Sequence, residues 1–347
     1  MLGGTVHPWR SSHGPAHRTA DMTVRTRSAV CGPRRTTLHL RPPALLATLA
    51  LLVSALVGCG SSDSQPGGTD SSGAPTLTIG AIPDQDPQKL GRLYGSVATR
   101  LSALLGVRVV YQPVTDYAAA VSLFRTGDLQ LVWFGGLTGV QARLQTPGAV
   151  PVAQRDIDAD FHSLFLGHTE ADLPTVDEVP GLTALRGTRF TYGSQSSTSG
   201  YLMPAHFLDV AGVDPVGGFD GEPGFSGSHD KTIDLVASGT YLAGAVNEQV
   251  WRARVAAGTV DTDRVEVLFR TPAYADYHWL LGPSAVERFG ADFPARVSAA
   301  LQGLDPADPA DAEVLDLFGA ERFVPTASEN YAEIERIGRR LGLVTGG

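Results

Sequence analysis

The sequence predicts an α/β protein whose two lobes enclose a cleft. Its 347 residues are 43% hydrophobic and 18% charged, an ordinary globular composition with room for two domains. Buried strands alternate with helices along residues 76–156, and the alternation begins again near residue 161. Because strand–helix–strand units pair their strands in parallel, we expect a mostly parallel sheet flanked by helices in each lobe. Ligands commonly bind in clefts between such lobes.

The first lobe is predicted from its strands and from the residues that start and stop its helices. Asp116 is a plausible cap, and Gly106 and Gly127 are plausible stops. Leucines and valines recur at helical spacing before Gly106, namely Leu90, Leu93, Val97, Leu101 and Leu104. In chain order, the segments are "TLTIGAI" (strand), "VRVVYQPV" (strand), "DYAAAVSLFRTGD" (helix), "LQLVWF" (strand), "GGLTGVQARLQ" (helix) and "VPVAQRD" (strand).

The second lobe repeats the alternation. In chain order, its segments are "FHSLFLG" (strand), "TRFTYGS" (strand), "YLMPAHFLDVAG" (helix), "HDKTIDLVASG" (helix), "YLAGAVNE" (strand), "QVWRARVAAG" (helix) and "RVEVLFRTP" (strand). The strand "YHWLLG" and long helical segments then close the chain. We therefore expect lobe 1 to contain residues 76–156 and 272–347, and lobe 2 to contain residues 157–271.

The N-terminus has the pattern of an export signal. A basic stretch precedes the apolar run "PALLATLALLVSALVG" and then "LVGC", which ends at Cys59. That ending resembles the lipobox of bacterial lipoproteins, so residues 1–59 are predicted as a signal peptide and Cys59 as the lipidated residue. Residues 60–75 are rich in Gly, Ser and Asp and read as a flexible tether to the extracytoplasmic face of the cell membrane. Translation starts at Met1 or Met22.

Charge and histidine spacing restrict the partners. The net charge is −9, and removing residues 1–58 leaves 20 basic and 35 acidic side chains, a net charge of −15. This argues against nucleic acid and implies that an anionic ligand would be bound by local dipoles. The sequence has neither paired histidines at metal spacing, nor a phosphate-binding loop, nor a dinucleotide fingerprint. It therefore predicts no metal and no cofactor.

A cluster of hydroxyl side chains stands before a predicted helix in "GSQSSTSGYLMP", residues 193–204. Free N–H groups and a positive dipole end make a helix start suitable for an oxyanion, and Ser and Thr add short donors. One serine would be enough for a plain cap. A nucleophilic serine is a third alternative, although the segment has no G-x-S-x-G elbow.

This cluster, together with "GFSGSHDKTIDLVASGTYLAGAVNE", "IPDQDP", "PVTDYAAAV" and "VWFGGLTGVQAR", resembles the phosphate, phosphite and phosphonate group of solute-binding proteins. The resemblance covers roughly residues 77–343 and is greatest to a subgroup named for selenate binding. It implies the type II periplasmic-binding fold and a monomeric, non-enzymatic receptor that delivers an oxyanion to an ABC permease and its ATPase. The alternatives are a selenate or sulfate receptor of the same fold and an exported serine hydrolase or phosphatase.

The resemblance also implies which residues bind the ligand. The implied contacts are the side chains of Tyr117, Ser197, Thr198, Ser199 and His229 (after Ser228), with the backbone N–H groups of Gly135, Gly136, Leu137 and Thr138. The family often has a tyrosine where the second lobe begins, and this chain has Phe161-His162 there.

Two acids are further candidates for the site, and an exposed structural role is the alternative for each. Glu248 and Asp276 stand at strand ends, where a cleft would lie. Phosphate, phosphite and phosphonates can carry a proton near neutral pH and donate it to a carboxylate, whereas sulfate and selenate cannot. A buried carboxylate facing selenate would leave two like charges unpaired, so either acid inside the site would favour a phosphorus oxyanion.

Overall fold

The computed structural model describes residues 75–345, which form two sheets covered by helices. The strands are β1 (Thr76–Ala81), β2 (Arg108–Tyr111), β3 (Leu131–Phe134), β4 (Val150–Arg155), β5 (Ser163–His168), β6 (Phe190–Tyr192), β7 (Gly224–Phe225), β8 (Ala243–Asn247), β9 (Val265–Arg270), β10 (His278–Leu281) and β11 (Phe323–Val324). The helices are α1 (Pro87–Leu105), α2 (Tyr117–Thr126), α3 (Gly136–Gln145), α4 (Met203–Val210), α5 (His229–Ala237), α6 (Glu248–Ala256), α7 (Pro283–Phe289), α8 (Phe293–Gln302), α9 (Pro309–Phe318) and α10 (Ala332–Arg340).

The sheets define two lobes, as the alternation of strands and helices predicts. Lobe 1 holds the sheet with strand order β11-β4-β10-β3-β1-β2, and lobe 2 holds the sheet with order β7-β6-β8-β5-β9. Both sheets are mixed, but four of the six strands described in lobe 1 and four of the five in lobe 2 run in one direction, so the expectation of mostly parallel sheets is confirmed. β10 pairs antiparallel with β3 and β4, and β5 pairs antiparallel with β8 and β9.

Two of the antiparallel strands, β5 and β10, bring new residues to the cleft. β5 and β10 are the strands by which the chain enters one lobe from the other. Ser163 at the start of β5 is paired with Asn247 at the end of β8, and His278 at the start of β10 is paired with Phe134 at the end of β3. The beginnings of these strands therefore lie beside the carboxyl ends of their neighbours, at the sheet edge where α/β proteins bind ligands.

The helix ends of lobe 1 follow the local sequence. The Asp116 side chain accepts a hydrogen bond from the N–H of Ala119 and caps α2, as predicted. Gly106 and Gly127 end α1 and α2 with φ of 67° and 82°, a conformation in which glycine avoids the steric cost of a Cβ. Asp86 is a further cap, because its carboxylate accepts from the N–H groups of Gln88 and Lys89.

The apolar stripe of α1 packs against lobe 1. Its predicted members Leu90, Leu93, Val97 and Leu101 are buried, whereas Leu104 is 42% exposed and Leu105 is buried instead. Around this stripe lies an aromatic cluster that consists of Tyr94, Trp133, Trp279 and Phe318. Trp133 and Trp279 of this cluster belong to β3 and β10, so the cluster packs against both strands.

The two connections between the lobes are joined to each other. Phe161 and Tyr274 form an isolated antiparallel bridge with two backbone hydrogen bonds, of 2.9 and 3.0 Å. The buried Arg155 guanidinium at the end of β4 donates to both carboxylate oxygens of Asp158. The Asp158 carbonyl in turn accepts from the N–H of Asp276 (3.0 Å), so the crossing segments hold a predicted site residue in place. The residue boundaries of the lobes remain a prediction.

The predicted signal peptide with Cys59 lies outside the described residues, as does the predicted tether (60–75) except for its last residue. Across residues 75–345, no helix is both long enough and apolar enough to cross a membrane.

Candidate ligand-binding site

The hydroxyl cluster is a helix start in which each side chain has a different partner. Ser197 Oγ accepts from the N–H of Gly200 (2.9 Å), and the chain then makes one π-helical turn, Thr198–Leu202, before α4. Thr198 Oγ1 accepts from the N–H of Leu137 in lobe 1 (3.0 Å). Ser199 Oγ is buried and has no hydrogen-bond partner among the described residues. Ser197 is therefore a cap, while Thr198 joins the lobes.

His229 is the first residue of α5, and its ring is a neutral hydrogen-bond donor. Burial lowers the pKa of this imidazole to about 3, so it is uncharged at neutral pH. Nδ1 accepts from the backbone N–H of Asn247 (3.3 Å), and the proton is therefore assigned to Nε2. Nε2 has no partner among the described residues. A Cβ on Gly200 would lie 3.1 Å from the imidazole Cε1, so the ring lies directly against the hydroxyl cluster.

Tyr117 enters the site from lobe 1. It is the first residue of α2, directly after its cap Asp116, and only 2% of it is exposed. Burial and the nearby charge of Asp84 raise the pKa of the phenol well above its ordinary value, so it stays a donor at physiological pH. Its hydroxyl is also without a partner among the described residues.

Asp276 is oriented by the loop before α3. The Gly136 N–H donates to Asp276 Oδ1 (2.8 Å), while Oδ2 has no partner within residues 75–345. Burial is the main cause that raises the pKa of this carboxyl to about 7. A Cβ on Gly135 would lie 3.1 Å from Thr198 Oγ1 and 3.2 Å from Asp276 Oδ1, so the lobes approach closely here.

The unpartnered atoms of the site belong to residues at the hydroxyl cluster, at helix starts and beside the loop before α3. Eight buried side-chain nitrogen or oxygen atoms within the described residues have no hydrogen-bond partner. Four of them belong to predicted site residues, two from each lobe, and we call these residues the cradle: Tyr117, Ser199, His229 and Asp276. Buried polar groups are normally paired, so such a concentration across a cleft indicates a polar ligand. The cradle offers three neutral donors and one carboxyl group.

The loop at residues 135–138 holds the side chains of the site. The N–H groups of Gly136 and Leu137 are bonded to Asp276 and Thr198, respectively, and Thr138 Oγ1 donates to the carbonyl of Gly135 (3.1 Å). These groups therefore position Asp276 and Thr198, and through them they connect the two lobes.

Glu248 is not brought to the cradle. As the first residue of α6 it accepts from Arg252 one turn later (2.6 Å) and from Arg270 on β9 (2.9 Å). Two guanidinium groups thus form ion pairs with this carboxylate. The preceding residue, Asn247, is the one whose side chain reaches lobe 1, where it donates to the Tyr277 hydroxyl (3.0 Å).

Several residues near the cradle were missed by sequence reasoning. Tyr274 and Ser163 are bonded through their hydroxyls (2.6 Å), and Ser163 Oγ donates to the Ser199 carbonyl (2.8 Å), which fixes the backbone of the hydroxyl cluster. Phe161 packs against Tyr274, while the adjacent His162 ring is bonded to a carbonyl on the second connection. Asp84 and Tyr277 join Asn247 in a buried chain of hydrogen bonds. The signal that could have indicated Asp84 is its position in a loop directly after a buried strand.

The likeness of this chain to known proteins agrees with such a site. A profile of the family described as "ABC transporter, phosphonate, periplasmic substrate-binding protein" matches residues 79–331. The chain belongs to this family. The "Probable ABC transporter phosphite binding protein PhnD1" of Prochlorococcus marinus (strain MIT 9301) is 45% identical over 269 residues, which are 77% of this chain and 90% of that protein.

Other relatives extend the comparison. The crystal structure of PhnD1 from the same organism in complex with methylphosphonate has a TM-score of 0.76 and covers 78% of this chain and 99% of its own. The "Phosphate-import protein PhnD" of Mycolicibacterium smegmatis is 24% identical over 271 residues, which are 74% of this chain and 83% of that protein. Family membership and these likenesses confirm the predicted two-lobed periplasmic-binding fold.

Membership also confirms the prediction of a substrate-binding component rather than an enzyme. The local geometry is consistent with this. A serine nucleophile needs a histidine that bonds to the serine and is itself oriented by an acid. Here His229 Nδ1 accepts a backbone N–H instead of donating to a carboxylate.

Proposed function

We propose that this protein is the lipid-anchored receptor of an ABC importer and that it captures a small phosphorus oxyanion in the cradle. The observation that carries the proposal is the set of four unpartnered buried atoms, contributed by both lobes. A tetrahedral anion would accept from Tyr117, Ser199 and His229 and would share a proton with Asp276. It would thereby complete the hydrogen bonding of all four groups.

Asp276 argues for a ligand that can carry a proton. A phosphonate, phosphite or phosphate ion with one proton can donate to Oδ2, or the protonated acid can donate to the dianion. Sulfate and selenate are fully ionised, so they would face a buried carboxylate without a shared proton unless Asp276 itself is protonated. The names of the relatives, which refer to phosphite, phosphate and a methylphosphonate complex, support a phosphorus anion. The resemblance to the selenate-binding subgroup stays a prediction.

The capture mechanism is closure of the lobes. Tyr117 and Asp276 lie in lobe 1, whereas Ser199 and His229 lie in lobe 2, so neither lobe alone carries all four contacts. The ligand therefore stabilises the closed form. The donors are neutral and stand at helix starts, where the dipole favours an anion, which suits a body of net negative charge.

Membrane attachment belongs to the same proposal. Cys59 at the end of "LVGC" would carry the lipid and the segment that follows would tether the body near the permease. Cys59→Ser is expected to move the protein from the membrane fraction to the soluble extracytoplasmic fraction. Retention of the variant in the membrane fraction would contradict lipidation at this residue.

The ligand site is tested by binding measurements on residues 60–347. We expect Tyr117→Phe and Ser199→Ala each to weaken methylphosphonate or phosphite binding about 10- to 100-fold, since each removes a hydrogen bond to a charged group. Glu248→Gln is the matched control, because its carboxylate is bound by two arginines outside the cradle. It should change affinity less than about twofold. Equal effects of all three variants would contradict the assignment of the cradle.

A further inference from the structure

The lobes also meet outside the cradle, between the starts of α1 and α5. The backbone N–H of Asp86 donates to Oδ2 of Asp230 (2.8 Å). Asp86 directly precedes α1 in lobe 1, whereas Asp230 is the second residue of α5 in lobe 2. We call this contact the clasp. The chain crosses between the lobes at residues 156–162 and 271–277, so only noncovalent contacts hold the two sides of the clasp together.

The lobe 1 side of the clasp is fixed by the start of α1. The Asp86 carboxylate accepts from the N–H groups of Gln88 and Lys89 (3.0 Å each) and so caps the helix. A capping residue lies half outside its helix, and its own N–H takes no part in the helical hydrogen bonds. The Asp86 N–H is therefore free to bond to lobe 2, and the cap holds it in a defined position.

The lobe 2 side of the clasp is held by Arg254 on α6. Its guanidinium donates to the Asp230 carbonyl (3.0 Å) and lies 3.7 Å from Asp230 Oδ1. The same guanidinium donates to Oδ1 of Asp234, one turn later on α5 (2.8 Å). One carboxylate oxygen of Asp230 thus faces the arginine, and the other bonds to Asp86. A hydrogen bond to a carboxylate is stronger than one between two neutral groups.

The clasp is next to a cradle residue. His229 directly precedes Asp230, and its backbone N–H donates to the Asp84 carbonyl in lobe 1 (2.9 Å). Two consecutive residues of α5 are therefore bonded to lobe 1. Because Tyr117 and Asp276 supply the lobe 1 atoms of the cradle, these bonds help to set how closely the His229 ring approaches that half of the site.

From this arrangement we infer that Asp230 is a positioning residue that holds the lobes closed around the ligand and slows its release without touching it. Release requires the lobes to separate, and separation breaks the bond between Asp86 and Asp230. The closed form thus has a stabilising contact that the open form lacks, and this contact raises the affinity for the ligand. The inference rests on the proposed function and adds a residue that regulates the same site.

The charge of Asp230 and its contact with Asp86 predict opposite effects of its removal. The carboxylate lies in the first turn of α5, beside a site proposed for an anion, so its charge alone disfavours the ligand. Electrostatics alone would therefore predict tighter binding by Asp230→Ala. Loss of the clasp predicts weaker binding, so the sign of the change decides between the two effects.

The test measures methylphosphonate binding to residues 60–347, which include every described residue. Asp230→Ala should raise the dissociation constant in calorimetry about three- to tenfold, as expected for the loss of one hydrogen bond. Stopped-flow tryptophan fluorescence should assign this change to the dissociation rate, with the association rate within about twofold of the wild type. Asp230→Asn should recover most of the affinity, because its amide oxygen can accept the same bond.

Asp234→Ala is the matched control. Asp234 also binds Arg254, but within residues 75–345 it makes neither a hydrogen bond nor an ion pair with lobe 1, so its removal should change the dissociation constant less than about twofold. An Asp230→Ala variant that binds methylphosphonate as tightly as the wild type, or an equal loss in Asp234→Ala, would overturn the clasp while leaving the proposed function intact. Failure of the wild-type protein to bind methylphosphonate, phosphite or phosphate would instead overturn the proposed function.

Discussion

Replacing Asp276 with asparagine removes a buried acid while keeping its shape, and it should alter the pH dependence of folding stability. Burial raises the pKa of Asp276 from 3.8 to about 7 in the folded protein. The folded state therefore holds this proton more tightly than the unfolded state does. The stability associated with the protonated form is complete below about pH 4 and is lost as the pH rises towards 7.

The magnitude follows from the shift. A difference of about three pKa units corresponds to roughly 4 kcal/mol at full ionisation, of which about 3 kcal/mol falls between pH 5 and pH 8. We therefore expect ligand-free Asp276→Asn to gain about 3 kcal/mol of unfolding free energy relative to the wild type when the pH is raised from 5 to 8. Urea unfolding of both proteins at the two pH values measures this. A stability difference that does not change with pH would refute the burial of this carboxyl between the lobes.

Three other substitutions test neighbouring features. Gly135→Ala should weaken oxyanion binding about tenfold or more in calorimetry, because the new Cβ would lie 3.1 Å from Thr198 Oγ1 and 3.2 Å from Asp276 Oδ1. Wild-type affinity in that variant would contradict the close approach of the lobes. Asp158→Asn should lower the unfolding free energy by about 3–5 kcal/mol, because it leaves the buried Arg155 guanidinium without its counter-charge. A loss under about 1 kcal/mol in urea unfolding would contradict a stabilising ion pair between Arg155 and Asp158. His229→Ala should reduce affinity about 10- to 100-fold at pH 7. Unchanged binding would show that His229 Nε2 does not donate to the ligand.

Local sequence signals correctly predicted three ends of helices α1 and α2. Asp116, Gly106 and Gly127 act where the pattern placed them, since caps and left-handed glycines depend on neighbouring residues alone. The mixed character of the sheets could not be read in this way. The direction of β5 and β10 depends on how the chain passes between the lobes, which no local pattern encodes.

The candidate site, like the fold, could be predicted from the sequence only in part. Donor chemistry and family resemblance predict the hydroxyl cluster, Tyr117, His229 and Asp276, and in the structure each of these contributes one buried polar atom without a partner among the described residues. A carboxylate at a strand end suggests a site, so the sequence favours Glu248 and does not single out its neighbour Asn247. Neighbouring residues point in different directions, and only the fold shows that Arg252 and Arg270 bind Glu248 while Asn247 reaches Tyr277. The contact of Tyr277 with Asp84 spans 193 positions of sequence and was equally hidden.

The most direct test of the central claim is calorimetric titration of residues 60–347 with phosphate, phosphite, methylphosphonate, sulfate and selenate at pH 7 and pH 9. Because the complex holds one proton between Asp276 and the ligand, and both groups titrate near neutral pH, binding at pH 9 must take up a proton. A phosphorus anion should therefore bind more tightly at pH 7, with affinity falling towards tenfold per pH unit once both groups are ionised. Binding of a phosphorus anion with this pH dependence is the predicted result. Tighter binding of selenate or sulfate than of every phosphorus anion, or no binding of any of the five, would contradict a cradle built for a protonated phosphorus oxyanion.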